Sequence, residues 1–361
     1  MRWATLALSR LPNTDTSEKK NLISTATRRF HRLCLATLVA VYFLILVGAT
    51  VRATGSGMGC PDWPTCFGSW MPPTDVSQLP ADYKAQYAAH RDKKNRKFTA
   101  FLATIGMDDT ARQLLNDKSI LVEEDFNAAK TWVEYLNRLV GVAIGLLIIA
   151  LFATAVPLRS SYGILFTSSF FLLILVLVQG WFGSIVVSTN LTPWTVTIHM
   201  FLAVIMVALL VWMYVRSGLS TATLPAGVRP WLTVGLAAFL VQIFLGASVR
   251  AELDRLSAAA VSRAQWIEQA GADFLIHRSF SWALVSVQAV ICYKLRKAGS
   301  ERSSYLVSIL LLLCSLLTGS AMAFFSVPAV MQPVHLLAAI VTVGWMYQLY
   351  LQTGQRAVLT A

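Results

Sequence analysis

The sequence predicts an all-α integral membrane fold, with eight transmembrane helices arranged as two pseudo-symmetric four-helix bundles. Three observations carry this reading. Of the 361 residues, 56% are hydrophobic and 13% charged, about half the ~25% charged fraction of a soluble globular domain. Apolar runs, each long enough as helix to cross a hydrocarbon core of ~30 Å, lie near residues 32–53, 131–156, 162–188, 194–215, 230–250, 273–293, 304–326 and 331–352. The last four runs repeat landmarks of the first four. Solid runs such as FTSSFFLLILVLVQGWFG lack the alternation of a closed β-barrel, the other way to satisfy a backbone in lipid.

From the N-terminus, residues 1–30 read as a polar cytoplasmic tail carrying Arg2, Arg10, Lys19, Lys20, Arg28 and Arg29. The run at 32–53 follows this tail without a small-residue cleavage site, so it is read as a span and not as a signal peptide. Segment 54–130 is a long loop with helix-like stretches, DYKAQYAAHRDKKNRKFTAFLATIG among them, and reads as a small cap. Its nine basic and ten acidic residues nearly cancel. Later loops are short. Those after the second, fourth and sixth spans hold Arg159, then Arg216 and Arg229, then Lys294, Arg296, Lys297 and Arg302; those after the third and seventh hold no Lys or Arg. The positive-inside rule puts both termini in the cytoplasm and segment 54–130 outside, and the expected location is a bacterial inner membrane. The net charge of +12 therefore orients the chain in a bilayer and does not point to nucleic acid.

The internal repeat fixes the organisation. The first span ends GATVRA (Gly48 to Ala53) and the fifth GASVRA (Gly246 to Ala251). The second opens EYLNRL and the sixth FLIHRS, which pairs Asn137-Arg138 with His277-Arg278. The third carries Gln179-Gly180 where the seventh carries Thr318-Gly319, and the fourth and eighth open with His199 and His335. Four spans per copy preserve orientation, so the halves are related by an axis along the membrane normal. The halves run 31–217, including the 54–130 outer loop, and 230–353.

Of five histidines, His31 borders the basic tail and His90 lies among charges in the loop, and both read as surface residues. His199, His277 and His335 each fall near the start of a span that begins on the outer side. Ionisable residues at that depth are functional candidates by default; the plain alternative is a hydrogen bond between helices. Facing histidines on two helices of a bundle hold heme, so His277 and His335 are candidate axial ligands in the second half. For zinc, Asp273 is the nearest carboxylate and a tetrahedral set is missing. In the first half His199 is paired with Asn137, a poor iron ligand. An open iron position suits chemistry, whereas two histidines suit electron transfer.

Glu134 lies three residues before Asn137 on the same helix face. Unpaired, it would handle protons; otherwise it is a carboxylate placed favourably at a helix start. Arg52 and Arg250 end the first and fifth spans, and Arg138 and Arg278 follow the candidate ligand positions. Arginine pairs carboxylates bidentately, so Arg52 and Arg250, and more weakly Arg138 and Arg278, are candidate partners of heme propionates; snorkelling is the alternative. Cys34, Cys292 and Cys314 lie in apolar helix sequence. Cys60 and Cys66, in GCPDWPTCFG on the oxidising side, read as a disulfide. The alternatives are a redox-cycling thiol pair or a metal site, which no further His or Cys supports. Trp63, Trp70, Trp132 and Trp194 fit an interfacial aromatic belt.

These motifs resemble the heme A synthase family, membrane enzymes that convert heme O to heme A for cytochrome oxidase. The resemblance rests on VRATGSGMGCPDWPTC after the first span, VEYLNR opening the second, TIHMFLA the fourth, FLIHRS the sixth and PVHLLAA the eighth, and covers nearly the whole chain. The Thr-Gly-Ser-Gly stretch with its cysteine pair is the most specific part. The resemblance implies a heme b cofactor on His277 and His335 and heme O as substrate in the first half, with His199 on its iron. It implies oxidation of the C8 methyl of heme O to a formyl group through successive hydroxylations. In that chemistry Glu134 shuttles a proton or stabilises charge at the methyl carbon. The family's glutamate-x-x-histidine motif falls on Glu134 and Asn137, so its second position departs here, and the second outer loop has no cysteine. Implied partners are an electron donor, heme O synthase and cytochrome oxidase assembly proteins. Two other readings are a diheme cytochrome b electron-transfer subunit, against which Asn137 argues, and a non-enzymatic heme carrier or assembly factor.

Overall fold

The computed structural model describes residues 16–218 and 224–353, with side chains from Ser24 onward; Arg2, Arg10 and the side chains of Lys19 and Lys20 lie outside the described residues. Among the described residues the regular structure is helical: α1 Thr16–Ala53, α2 Tyr83–Thr104, α3 Asp108–Asn116, α4 Ala128–Ala155, α5 Gly163–Ser188, α6 Pro193–Ser217, α7 Arg229–Ala258, α8 Trp266–Gln269, α9 Gly271–Lys297, α10 Arg302–Phe324 and α11 Met331–Gln352. Eight of them (α1, α4, α5, α6, α7, α9, α10 and α11) are long and apolar enough to cross a membrane. The protein is a multi-pass integral membrane protein.

Two boundaries differ most from the sequence expectation. Helix α1 begins at Thr16, so residues 16–30 extend the first span as helix, because TSEKKNLISTATRRFHR contains no Gly or Pro to stop it. Helix α7 runs on to Ala258, eight residues past the expected end at 250, because AELDRLSA supplies helix formers and no breaker. Other ends follow local chemistry. Asn127 caps α4 by accepting from the Lys130 N–H, as N-cap side chains do. Pro193 opens α6, where its missing N–H goes unneeded.

The first four spans contact one another in a ring, α1 with α4, α4 with α5, α5 with α6 and α6 with α1; the last four do likewise, α7 with α9, α9 with α10, α10 with α11 and α11 with α7. Helix α11 packs on α1 and α6, joining the two rings. The continuous core lies at the end away from the disulfide, where Cys34, Leu38 and Val41 meet Val207, Leu210, Met213, Ile340, Val343 and Met346. At the other end packing loosens. No residue from 42 to 50 on α1, 135 to 143 on α4, 196 to 203 on α6 or 271 to 283 on α9 is buried.

The cap is α2 and α3. Phe98, Leu102, Ala111, Leu114 and Ile120 close over Ile185 of α5. The Asn95 amide donates to the Ser188 carbonyl at 2.7 Å, and Phe98 stacks on Trp194 with ring centroids 6.2 Å apart. The cap therefore leans on α5 and the start of α6.

Candidate functional site

Helices α9 and α11 occupy opposite corners of the second ring, so His277 and His335 meet across its centre. Their ring centroids are 6.3 Å apart with an interplanar angle of 69°. Two metal–imidazole bonds of about 2 Å plus half a ring on either side account for that spacing. His335 Nδ1 lies 3.0 Å from Thr318 Oγ1, whereas His277 Nδ1 is buried without a hydrogen bond of ordinary geometry. Paired imidazoles at that spacing and loosened packing at their level fit a heme iron between them.

In the first ring α4 and α6 hold the opposite corners, which sets Asn137 and His199 at corresponding places. Asn137 Oδ1 and His199 Nδ1 are both buried and unpartnered. Gln179 Nε2 donates to the His199 carbonyl at 3.0 Å and stands 3.4 Å from its Nε2. The glycine beside His199 is Gly183, and the one beside His335 is Gly319, each sixteen residues before its histidine. The expected pairing of Gly180 with Gly319 is corrected to Gly183, because one turn of helix separates Gln179 from the residue that faces the ring.

Cys60 and Cys66 are joined as a disulfide with Cα atoms 4.8 Å apart, and Cys34, Cys292 and Cys314 are free. The loop they close is clamped from α4. Glu134, 3% exposed, accepts from the Cys60 N–H at 2.7 Å and from Arg138 at 2.6 Å. Arg138 also donates to the carbonyls of Asp62 at 2.6 Å, Thr65 at 2.8 Å and Cys60 at 2.9 Å. Inside the loop, Asp62 accepts from Thr65 Oγ1 and from the N–H groups of Phe67 and Gly68. Gly59 permits the close approach, since a Cβ there would sit 2.6 Å from the Lys130 backbone. Glu134 is thus ion-paired, and Arg138 is turned to the loop. From the cap, Lys94 approaches this cluster. Burial chiefly, and Arg138 secondarily, hold its ammonium down to about 8, against the opposing pull of Asp62.

The remaining arginines part ways. Arg52 and Arg250 converge on one carboxylate, Asp254, at 2.6 and 2.8 Å, and Arg250 also bonds Gln332 on α11, one turn before His335. Arg278 is exposed and lies over the Phe274 ring. Asp254 was missed in the sequence although its i,i+4 spacing from Arg250 was a usable signal; the extension of α7 presents it. His31, read as a surface residue, is half-buried, stacked on Tyr214 and bonded to Ser217. His90 is exposed.

A heme A synthase of Shewanella oneidensis is 25% identical over 214 residues, 58% of this chain and 53% of the relative. A heme A synthase of Geobacillus kaustophilus is 53% identical over 38 residues, 10% of this chain and 12% of the relative. A protoheme IX farnesyltransferase of Haloquadratum walsbyi is 44% identical over 46 residues, 13% of this chain and 10% of the relative. The chain thus spans about half the length of the first relative and about a tenth of the other two. No solved structure matches it. The model of the COX15-CtaA family, described as cytochrome oxidase assembly protein, matches residues 31–107 and 107–347, and the chain belongs to that family.

Proposed function

We propose that this protein is a heme A synthase, a membrane oxidoreductase that oxidises the C8 methyl of heme O to the formyl group of heme A. The observation that carries the reading is the meeting of His277 and His335 across the centre of the second ring. The relatives named heme A synthase support it. His277 and His335 would hold heme b, which would supply electron relay between the first half and an external redox partner. Heme O occupies the first half, residues 31–217, with His199 as the protein ligand of its iron and Asn137 on the opposite side. Heme b belongs to the second half, 230–353. Arg52 and Arg250 are the proposed partners of propionates at the disulfide end, and Arg278 is a further one. Glu134 sits one turn from Asn137 with both oxygens engaged. Its assigned work is to stabilise charge near the reacting methyl carbon and, with Arg138, to hold the disulfide loop over the site. Both termini are assigned to the cytoplasm of a bacterium. An electron donor, heme O synthase and oxidase assembly proteins are the proposed partners.

The test is the heme content of the purified protein. A synthase carries low-spin protoheme together with heme O or heme A. His277→Ala or His335→Ala should abolish the low-spin signal. An electron-transfer cytochrome would carry protoheme alone, and an unchanged spectrum in both variants would remove the site assignment.

A further inference from the structure

Three spans carry one small pattern opposite a candidate ligand: a polar residue, three intervening residues, then glycine. Gln179 and Gly183 on α5 face His199, Gln242 and Gly246 on α7 face His277, and Ser315 and Gly319 on α10 face His335. A Cβ at these glycines would lie 3.3, 3.2 and 3.2 Å from the Cε1 of the imidazole. Without it, each ring lies directly on the backbone of the neighbouring helix. There the His277 and His335 rings meet the main-chain carbonyls of Gln242 and Ser315, one turn before the glycine. Both contacts are looser than an ordinary hydrogen bond, and the hydrogen-bond partner of His335 Nδ1 is Thr318 Oγ1 at 3.0 Å. The glutamine side chains return the contact. Gln179 Nε2 donates to the His199 carbonyl at 3.0 Å and Gln242 Nε2 to the His277 carbonyl at 3.1 Å, and Oε1 of both is buried and unpaired. The fourth position is the contrast. Gly48 on α1 faces Asn137, where an added Cβ would lie 3.7 Å from its Oδ1, but the residue one turn earlier is Leu44. The polar partner stands where the ligand is histidine and is missing where it is not.

We infer that Gln242 and Gln179 are positioning residues that clasp the helices bearing His277 and His199, and that Gln242 thereby holds the His277 imidazole with one nitrogen turned to a main-chain acceptor and the other to iron. A ligating imidazole needs an acceptor for its second N–H, which fixes tautomer and ring rotation. This rests on the heme reading above.

The experiment uses the full-length protein purified with its heme. Gln242→Met keeps the size and removes the polar atoms. It should weaken retention of the second-half heme by about tenfold or more, change the EPR g values of the low-spin signal and shift its midpoint potential. Gln242→Glu, which keeps the size but puts an oxygen where Nε2 donates to the His277 carbonyl, should fail to restore retention. Gln179→Met should leave that signal as in the wild type. Gly246→Ala perturbs the same contact through the backbone and covers the case in which Gln242→Met folds poorly. Wild-type retention, g values and potential in both Gln242→Met and Gly246→Ala would overturn the inference. Wild-type protein purified without protoheme would instead sink the heme reading itself.

Discussion

Arg138→Met isolates the clamp that fixes the disulfide loop. The Arg138 side chain is 12% exposed and that of Glu134 4%. Removing the guanidinium leaves Glu134 with main-chain support from the Cys60 N–H and no counter-charge. It also strips the donor from the carbonyls of Asp62, Thr65 and Cys60. Breaking a buried ion pair from one side costs about 3–5 kcal/mol, because the surviving charge stays buried. Each carbonyl that water fails to reach adds ~1 kcal/mol. The double variant Glu134→Gln/Arg138→Met removes the stranded charge and should be more stable than Arg138→Met alone. Thermal unfolding of the wild type, the single and the double variant in one detergent measures the order. Protease cleavage within 54–130 reports whether the loop has come free. A double variant as unstable as the single one would refute the reasoning, since no stranded charge would then be at work.

Three further predictions follow from the same geometry. Asn137→His should move the first-half heme toward a six-coordinate low-spin form in optical and EPR spectra; an unchanged first-half signal would mean that position 137 does not face the iron bound by His199. Lys94 is held down to about 8 against an ordinary 10.5, so folding carries the full penalty of burying its charge below about pH 8. The penalty fades as pH rises toward 10.5, because the unfolded chain binds the extra proton across that window. Lys94→Met should therefore stabilise the cap at pH 7 and lose that advantage by pH 10.5 in melts across pH, whereas a pH-independent gain would contradict the assignment. Asp254→Asn removes two pairs whose side chains are 25–31% exposed, each worth about 1 kcal/mol or less. Denaturant unfolding should show a loss under ~2 kcal/mol, and a much larger loss would show that the bridge between α1 and α7 is more than a surface ion pair.

The spans were legible because apolar runs of membrane length leave few alternatives, and helices at 163–188 and 331–352 fall almost where the runs do. The helix ends were less so. Polar, helix-forming residues after Arg250 look like a loop to a hydropathy reading, yet they extend α7 and deliver Asp254 to Arg52. The histidines were legible from their repeated placement. The clamp was not, because Arg138 spends three of its contacts on main-chain carbonyls more than seventy residues away, and carbonyls leave no mark in a sequence. Two glycines lie within one turn of Gln179, and only packing against His199 selects Gly183 over Gly180.

The central claim is chemical, and its most direct measurement is heme extraction. Membranes from a host that makes heme O and lacks its own synthase should yield heme A once this chain is expressed, with heme O falling in step and a hydroxylated intermediate between them on chromatography. His199→Ala should stop the conversion. Heme O left untouched by well-folded, protoheme-loaded protein supplied with reductant would contradict the account.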